Sequence, residues 1–410
     1  MAQPEGTADG VLADIRVADF SRVLAGPYAT MLLADFGADV VKVEPPSGDD
    51  TRHWHPPVGP DGQATYFGSV NRNKRSVALD LNDPADLAEA HRLAATADVL
   101  VENFRPGVME RFGLGYAQVR AGNPGVVYCS ITGFGAGRGA GLAGYDLLVQ
   151  AVGGLMSITG EPDGGPTKAG VALVDVLTGQ NAVAGILLGL RRRDATGEGS
   201  LVELNLLHGL LSALTNQAGA TLGTGRAPGR MGNAHPSIAP YAVFRAADRQ
   251  LVVAVGNDRQ FRTLARLLGA PGLADDARFA TNADRVAHRE LLHAELERAL
   301  GRATAAEWVG TLTDAGVPAG LVNDVAEAIA FARELGLDPV VELGGVCSIA
   351  NPIRLAAAPP GYRTPPPRLD ADRGADWRDA AAPDSRADPV DDGHAARADR
   401  TDHAPEGTDR

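Results

Sequence analysis

Short strands alternate with helical segments through the first two hundred residues, and this alternation restricts the possible folds more than any other feature. Between the strands lie helical patterns such as GPYATMLLADFG and DPADLAEAHRLAATA. Strands that alternate with helices form mostly parallel sheets covered on both faces. We therefore predict a Rossmann-like α/β domain with strands in IRVADF (15–20), ADVVKVE (38–44), SVALDL (76–81), DVLVEN (98–103) and VVYCSI (126–131).

The pattern changes near residue 241. The segment YAVFRAADRQLVVAV predicts an antiparallel hairpin, and RELLHAELERAL and AAEWVGTLTDAG predict helices after it. We assign 11–225 to the large domain and 226–316 to a smaller α+β domain. The segment VPAGLVND is expected to be a strand that starts the return of 317–355 to the large domain. Residues 356–410 are rich in Pro, Asp, Arg and Ala, so we expect this tail to be disordered.

Composition excludes several classes of function. A net charge of −13 disfavours a nucleic-acid-binding protein or one that binds anionic membranes. No secretory signal is visible and no apolar run approaches the roughly 18 residues of a membrane span, so we predict a cytoplasmic protein. The two cysteines lie far apart, which disfavours a disulfide framework. His53 and His55 have no third ligand nearby in sequence, so no metal site is expected.

An aspartate in the segment GVALVDVLTG (170–179) raises a functional question. We interpret the segment as an apolar strand leading to Asp175, with a turn at Thr178 and Gly179 before a helix. The carboxylate could cap that helix, or it could act as a nucleophile towards an acyl carbonyl. An exposed aspartate is ionised at neutral pH, so a nucleophile of this kind would need no general base.

The densest basic run is NRNKRS (71–76). It could be a solvated loop that only adds solubility. Alternatively, Arg72, Lys74 and Arg75 could meet the phosphate oxygens of a polyanionic small molecule, because guanidinium and ammonium groups bind phosphate well.

Six segments follow one another in an order and spacing that are typical of one family: RVLAGPYATMLLADFGADVVKVEPPSGDDTR, NRNKRSVALDL, VENFRPGVMERFGLGY, YCSITGFG, AGYDLLVQAVGGLMSITG and GVALVDVLTG. Through these segments the chain resembles the class III coenzyme A transferases, the CaiB/BaiF family. The resemblance covers about residues 11–355 and implies an interlocked homodimer. Within the family the chain is most similar to the succinyl-CoA:glutarate branch, through RMGNAHPSIAPYAVF (230–244) and VGNDRQF (255–261).

The resemblance also implies roles for individual residues. Asp175 falls on the catalytic aspartate of the family, and the basic run lies near the same ligand by sequence. His235 and Ser237 would bind the distal carboxylate of a dicarboxylic acid, or they merely satisfy a turn. The positions that contact coenzyme A or its thioester in relatives are Leu24, Ala25, Leu79, Asn103, Phe104, Arg105, Arg111, Ala143, Tyr145 and Asp146.

The implied reaction transfers coenzyme A between an acyl-CoA and a free carboxylic acid through an aspartyl-CoA thioester. The acyl-CoA is a substrate, and no permanently bound cofactor is expected. An α-methylacyl-CoA racemase is an alternative, but racemases have His in a GHD motif where this chain has Tyr145. A non-catalytic CoA-binding protein is a second alternative.

Overall fold

The computed structural model describes residues 10–378. The strands are β1 (Arg16–Asp19), β2 (Asp39–Glu44), β3 (Lys74–Ala78), β4 (Val99–Glu102), β5 (Val127–Thr132), β6 (Ser200–Asn205), β7 (Tyr241–Arg245), β8 (Gln250–Ala254), β9 (Ala319–Leu321), β10 (Val340–Leu343) and β11 (Val346–Ile349). The helices are α1 (Ala25–Asp35), α2 (Thr65–Ser69), α3 (Pro84–Thr96), α4 (Val108–Arg111), α5 (Tyr116–Gly122), α6 (Asp146–Val152), α7 (Leu155–Ile158), α8 (Leu173–Thr196), α9 (Leu206–Ala213), α10 (Thr215–Thr224), α11 (Asp258–Leu267), α12 (Gly272–Asp275), α13 (Asn282–Ala287), α14 (Arg289–Leu300), α15 (Ala305–Asp314) and α16 (Val325–Glu334).

Six parallel strands form the main sheet in the order β3-β2-β1-β4-β5-β6. This is the strand order of a doubly wound Rossmann sheet, in which the chain reverses direction across the sheet between β1 and β4. Four of the five predicted strands are confirmed within one residue at each end, and the strand predicted at 76–81 is present but begins and ends earlier, at Lys74–Ala78. The sixth, β6, was not predicted, because polar residues interrupt the apolar pattern of SLVELN.

Helices cover both faces of the sheet. On one face, α1 and α8 pack against each other and against Val17, Val40 and Val99. A Cβ at Gly179 would lie 2.7 Å from the carbonyl oxygen of Ala25, so this glycine permits the close approach of the two helices. Helix α3 lies on the other face. Helix α8 is long and apolar enough to cross a membrane, yet much of its apolar surface belongs to this core.

The smaller domain contains the antiparallel sheet β7-β8-β9 and the helices α11–α15. The predicted hairpin is β7–β8, and its antiparallel pairing is confirmed. The strand predicted within VPAGLVND is present as β9, but its expected return to the large domain was wrong, because β9 pairs with β8 of the smaller sheet. The chain makes contact with the large domain later, through Ser348 and Ile349 of β11, which accept hydrogen bonds from Arg72.

The expectation of a disordered tail was wrong for residues 356–378, and its later part, from Asp370 to Asp376, lies against the edge strand β3. Asp372 accepts a hydrogen bond from the backbone N–H of Ser76, and Asp370 accepts one from that of Ala78. The Trp377 indole donates to Thr96 on α3. Carboxylates of the tail thus accept hydrogen bonds from backbone N–H groups that an uncovered edge strand would leave unpaired. These hydrogen bonds compensate for the low apolar content of the tail. Residues 379–410 lie outside the described residues.

Candidate active site

A cleft of about 210 Å³ opens at the carboxyl ends of β1, β4 and β5, where the strand order reverses. Ligands of open α/β sheets bind at this position, because loops that leave in opposite directions create a crevice. The loops after the three strands, the start of α1 and the first turn of α8 line the cleft. Of the residues predicted from sequence, those that line it are Leu24, Ala25, Asn103, Phe104, Arg105, Ala143, Tyr145, Asp146 and Asp175.

Asp175 lies in the first turn of α8, so the predicted strand at 170–175 was wrong. A short apolar run cannot be distinguished from a buried helix by its pattern alone. Thr178 and Gly179 form no turn and lie within the helix. Asp175 does not cap the helix either: the residue at the N-cap position is Ala172, which makes no side-chain cap. Instead, Asp146 accepts hydrogen bonds from the backbone N–H groups of Val174 and Asp175, at 2.8 and 3.1 Å.

The environment of Asp175 is less polar than we expected. The side chain is half-buried, and no residue in 10–378 donates a hydrogen bond to its carboxylate. Burial, and secondarily the negative charge of Asp146, raises the pKa of Asp175 to about 7. The expectation of an exposed, fully ionised aspartate was therefore wrong. At neutral pH the carboxyl group is divided between its protonated and ionised forms.

The loop between β1 and α1 supplies a backbone wall of the cleft. Val23 has a φ of 68°, in the left-handed region that a β-branched residue rarely adopts. The Asp49 carboxylate accepts a hydrogen bond from the Val23 N–H at 3.2 Å, and it forms an ion pair with the buried Lys42 ammonium at 2.9 Å. Lys42 also donates to the carbonyl oxygen of Ser21. This buried pair therefore holds the loop that leads into α1.

Asn103 joins the two loops that flank the switch point. Its side-chain amide accepts from the Arg22 N–H at 2.8 Å and donates to the Arg22 carbonyl oxygen at 2.7 Å. The Arg22 guanidinium lies over the Phe104 ring, 4.8 Å from its centre. Our sequence reasoning missed Arg22 as a cleft residue, although its position directly after β1 was a usable signal. Trp54 also lines the cleft and was missed.

The basic run does not form an exposed loop, and its three cations are buried and paired. Arg72 binds Asp35 and Lys74 binds Asp19, at 2.6 and 3.1 Å. Arg75 binds Asp39 at 2.6 Å. Burial lowers the pKa of Lys74 to about 8, although Asp19 opposes this effect. The predicted phosphate contact was therefore wrong for these side chains, because aspartates from other elements already neutralise them.

Two more predicted contacts lie outside the cleft. The Leu79 side chain is buried in the core with β2 and α3, and Arg111 is exposed at the end of α4. Arg105 lines the cleft and is exposed. Among residues 10–378, Arg22, Arg105 and Arg111 have no salt-bridge partner.

His235 lines a second cavity of about 560 Å³ in the smaller domain, which Asp175 does not line. The His235 Nδ1 accepts a hydrogen bond from the Ser237 N–H at 3.1 Å, and the Ser237 carbonyl oxygen accepts one from Asn282. Both residues thus take part in a turn. The structure does not bring them together with Asp175 within one chain.

Comparison with known proteins adds a family assignment to this geometry. The family model of CoA-transferase family III matches residues 12–373. Acetyl-CoA:oxalate CoA-transferase of Acetobacter aceti is 41% identical over 94% of this chain and 98% of its own. Succinate–glutarate CoA-transferase of Agrobacterium fabrum is 44% identical over 87% of this chain and 92% of its own. A crystal structure of a CaiB/BaiF family protein from Brucella suis superimposes with a TM-score of 0.81 at 42% identity, and it covers 88% of this chain and 97% of that one.

Proposed function

The chain belongs to CoA-transferase family III and is a CoA-transferase, and we propose that it moves coenzyme A from succinyl-CoA to a dicarboxylic acid such as glutarate through a thioester on Asp175. The observation that carries the proposal is the position of Asp175. It is a half-buried carboxyl group at the start of α8, in a cleft at the switch point of the sheet.

The substrate proposal rests on what two relatives share. One relative is named for oxalate and the other for succinate and glutarate, and all three acids are dicarboxylates. A second carboxylate on the acceptor is therefore the chemical feature that we propose for this chain. The acids named for the two relatives differ in the length of their carbon chain.

The proposed reaction begins when the Asp175 carboxylate attacks the thioester carbonyl of the donor. The C–S bond breaks, the CoA thiolate leaves and a mixed anhydride remains. The thiolate then attacks the Asp175 carbonyl, which releases the donor acid and leaves an aspartyl-CoA thioester. The acceptor carboxylate repeats these steps in reverse, so a new acyl-CoA forms and Asp175 is regenerated. Because one thioester replaces another, no ATP is consumed.

Backbone groups can stabilise the tetrahedral oxyanion that forms in each attack. Asp146 already occupies the N–H groups of Val174 and Asp175 at the start of α8. The start of α1 also lines the cleft through Leu24 and Ala25, and the first N–H groups of a helix have no intrahelical acceptor. We assign the oxyanion site to the start of α1.

Coenzyme A carries several phosphate charges, which require cations near the cleft. Arg72, Lys74 and Arg75 are buried in ion pairs, so we assign this role to Arg22, Arg105 and Arg111 instead. Phe104, which packs against the Arg22 guanidinium, offers a flat surface for the adenine ring.

The racemase alternative is disfavoured by the cleft itself. Racemisation requires an acid and a base on opposite sides of an α-carbon. No histidine lies among the cleft-lining residues of the described chain, and Tyr145 occupies the position where racemases have one.

We also propose that the protein acts in the cytoplasm as an interlocked homodimer. The second cavity, lined by His235, is separate from the cleft within one chain, so a partner chain would be needed to bring such a segment to Asp175. Exposed apolar side chains on α6 and α8, among them Val152 and Leu188, offer surface for a partner. Light scattering of the purified protein should give twice the chain mass.

The direct test mixes the protein with succinyl-CoA and single carboxylic acids, and reads the new acyl-CoA masses. Glutarate and pentanoate form the key pair, because they have five carbons each and differ in the second carboxylate. We expect glutaryl-CoA to form at least 100-fold faster than pentanoyl-CoA. Equal rates would overturn the dicarboxylate proposal.

Variants test the nucleophile in the same assay. Intact mass spectrometry of the wild type should show an enzyme-bound CoA adduct, and Asp175→Ala should abolish both this adduct and transfer. Asp194→Ala is the matched control, because Asp194 is an exposed aspartate on the same helix. If no acid gains coenzyme A from any donor, release of α-deuterium from a 2-methylacyl-CoA would support the racemase instead. Unaltered CoA binding without either reaction would indicate a binding protein.

A further inference from the structure

Asp146, the first residue of α6, accepts three hydrogen bonds, two of them from the start of a different helix, α8. Its Oδ1 atom accepts from the backbone N–H groups of Val174 and Asp175. Its Oδ2 atom accepts from the Gln150 amide at 2.6 Å. A carboxylate from α6 therefore takes the place of the N-cap side chain that α8 lacks.

Gln150 connects this arrangement to the segment before α8. It is fully buried, and its carbonyl oxygen accepts a hydrogen bond from the Ala169 N–H at 2.8 Å. Asp146 and Gln150 lie four residues apart on one face of α6, so one short helix holds both the entry to α8 and its first turn.

We propose that Asp146 is a positioning residue for Asp175: its carboxylate holds the first turn of α8 and also places a second negative charge beside the nucleophile. This inference rests on the proposed function of Asp175. It gives Asp146 a role different from a contact with coenzyme A.

The charge has a chemical consequence. Two neighbouring carboxylates repel each other, and this repulsion disfavours the ionised form of Asp175. When Asp175 attacks a thioester, its negative charge moves to the oxyanion and then to the leaving thiolate. Repulsion from Asp146 is therefore relieved as the reaction proceeds, which favours the transition state over the ground state. A more basic carboxylate is also a better nucleophile.

Other charged or titratable groups surround Asp175, and each must stay unchanged in a test of Asp146. Tyr66 on α2 lies close enough for the charge of Asp175 to contribute to its raised pKa, although burial is the larger cause. The others on the elements around the cleft are Arg22, Tyr28, Asp50, Arg105 and Tyr145.

The test separates the charge of Asp146 from its hydrogen bonds. Asp146→Asn alone would place an amide NH₂ against the amide NH₂ of Gln150, so the comparison is made in a Gln150→Leu background. Gln150→Leu and the double variant Gln150→Leu/Asp146→Asn both keep an oxygen acceptor for α8 and differ in the charge at 146. For each, kcat/KM for acetyl-CoA is measured from pH 5 to 9 with glutarate as the acceptor, and the two variants are compared at each pH, where the substrates are ionised to the same extent for both.

On the acid side of the pH profile, kcat/KM falls as Asp175 becomes protonated; we call this part of the curve the acid limb. We expect the midpoint of the acid limb to lie about one pH unit lower for the double variant than for Gln150→Leu. We also expect Asp146→Ala, which removes both cap and charge, to lower kcat at least tenfold at pH 8. Identical acid limbs in the two matched variants would overturn the inference. If Gln150→Leu does not fold, wild type and Asp146→Asn provide the comparison.

The outcome for the proposed function is read separately. A wild type that forms no CoA adduct on Asp175 would refute the proposed function. A wild type that forms the adduct, with an acid limb that Asp146→Asn does not move, would refute only the inference about Asp146.

Discussion

Replacing Asp175 with Asn should stabilise the protein while it abolishes transfer. Burial, and then the charge of Asp146, raises the pKa of Asp175 from 3.8 to about 7. Between these values the folded protein binds more protons than the unfolded chain, so stability rises as the pH falls from 7 towards 4. Above pH 7 the folded state bears the full cost of the ionised group, about 4 kcal/mol at pH 8. Asn resembles the protonated acid and avoids that cost.

Urea denaturation of the wild type and of Asp175→Asn at pH 5 and pH 8 tests this reasoning. We expect the free energy of unfolding of the variant to exceed that of the wild type by about 4 kcal/mol at pH 8 and by about 2 kcal/mol at pH 5. The difference is smaller at pH 5 because Asp175 of the wild type then takes up a proton on folding and no charge is buried. Asp194→Asn, on the exposed end of α8, should show no comparable gain at either pH. An Asp175→Asn protein that is no more stable than the wild type at pH 8, or equally stabilised at both pH values, would refute the argument.

Three further substitutions test the surroundings of the cleft. Lys42→Met leaves the buried Asp49 carboxylate without its cation, so we expect a loss of about 3–5 kcal/mol in the free energy of unfolding, measured in urea. Gly179→Val places a side chain against the carbonyl oxygen of Ala25, and we expect α1 to shift and kcat to fall more than tenfold in the transfer assay. Arg111→Ala should raise the KM for acyl-CoA about tenfold with little change in kcat, and a lowered kcat at unchanged KM would contradict its assignment to phosphate binding.

Local pattern was sufficient for much of the architecture. Strands β1 to β5 and the hairpin β7–β8 follow from runs of β-branched residues separated by helical periods. These patterns extend over only a few neighbouring residues, and the spacing of the apolar residues determines which face of each strand or helix is buried. The ordered motifs also predicted the family, which the comparison with known proteins shows.

Other features depended on partners far away in sequence. The basic run at 71–76 has the same composition whether it is solvated or paired, and only the placement of Asp19, Asp35 and Asp39 on neighbouring elements makes it part of the core. The tail after residue 355 has too little apolar content to fold alone, yet an edge strand offers it unpaired backbone groups.

The sequence by itself determined the α/β architecture and the family, and through the family it indicated Asp175. Only the tertiary structure decided the environment of Asp175: its place in the first turn of α8, its partial burial and the neighbouring Asp146. The physical reason is that hydrophobic periodicity acts between near neighbours, whereas a pKa depends on every charge and every buried surface that the fold brings close.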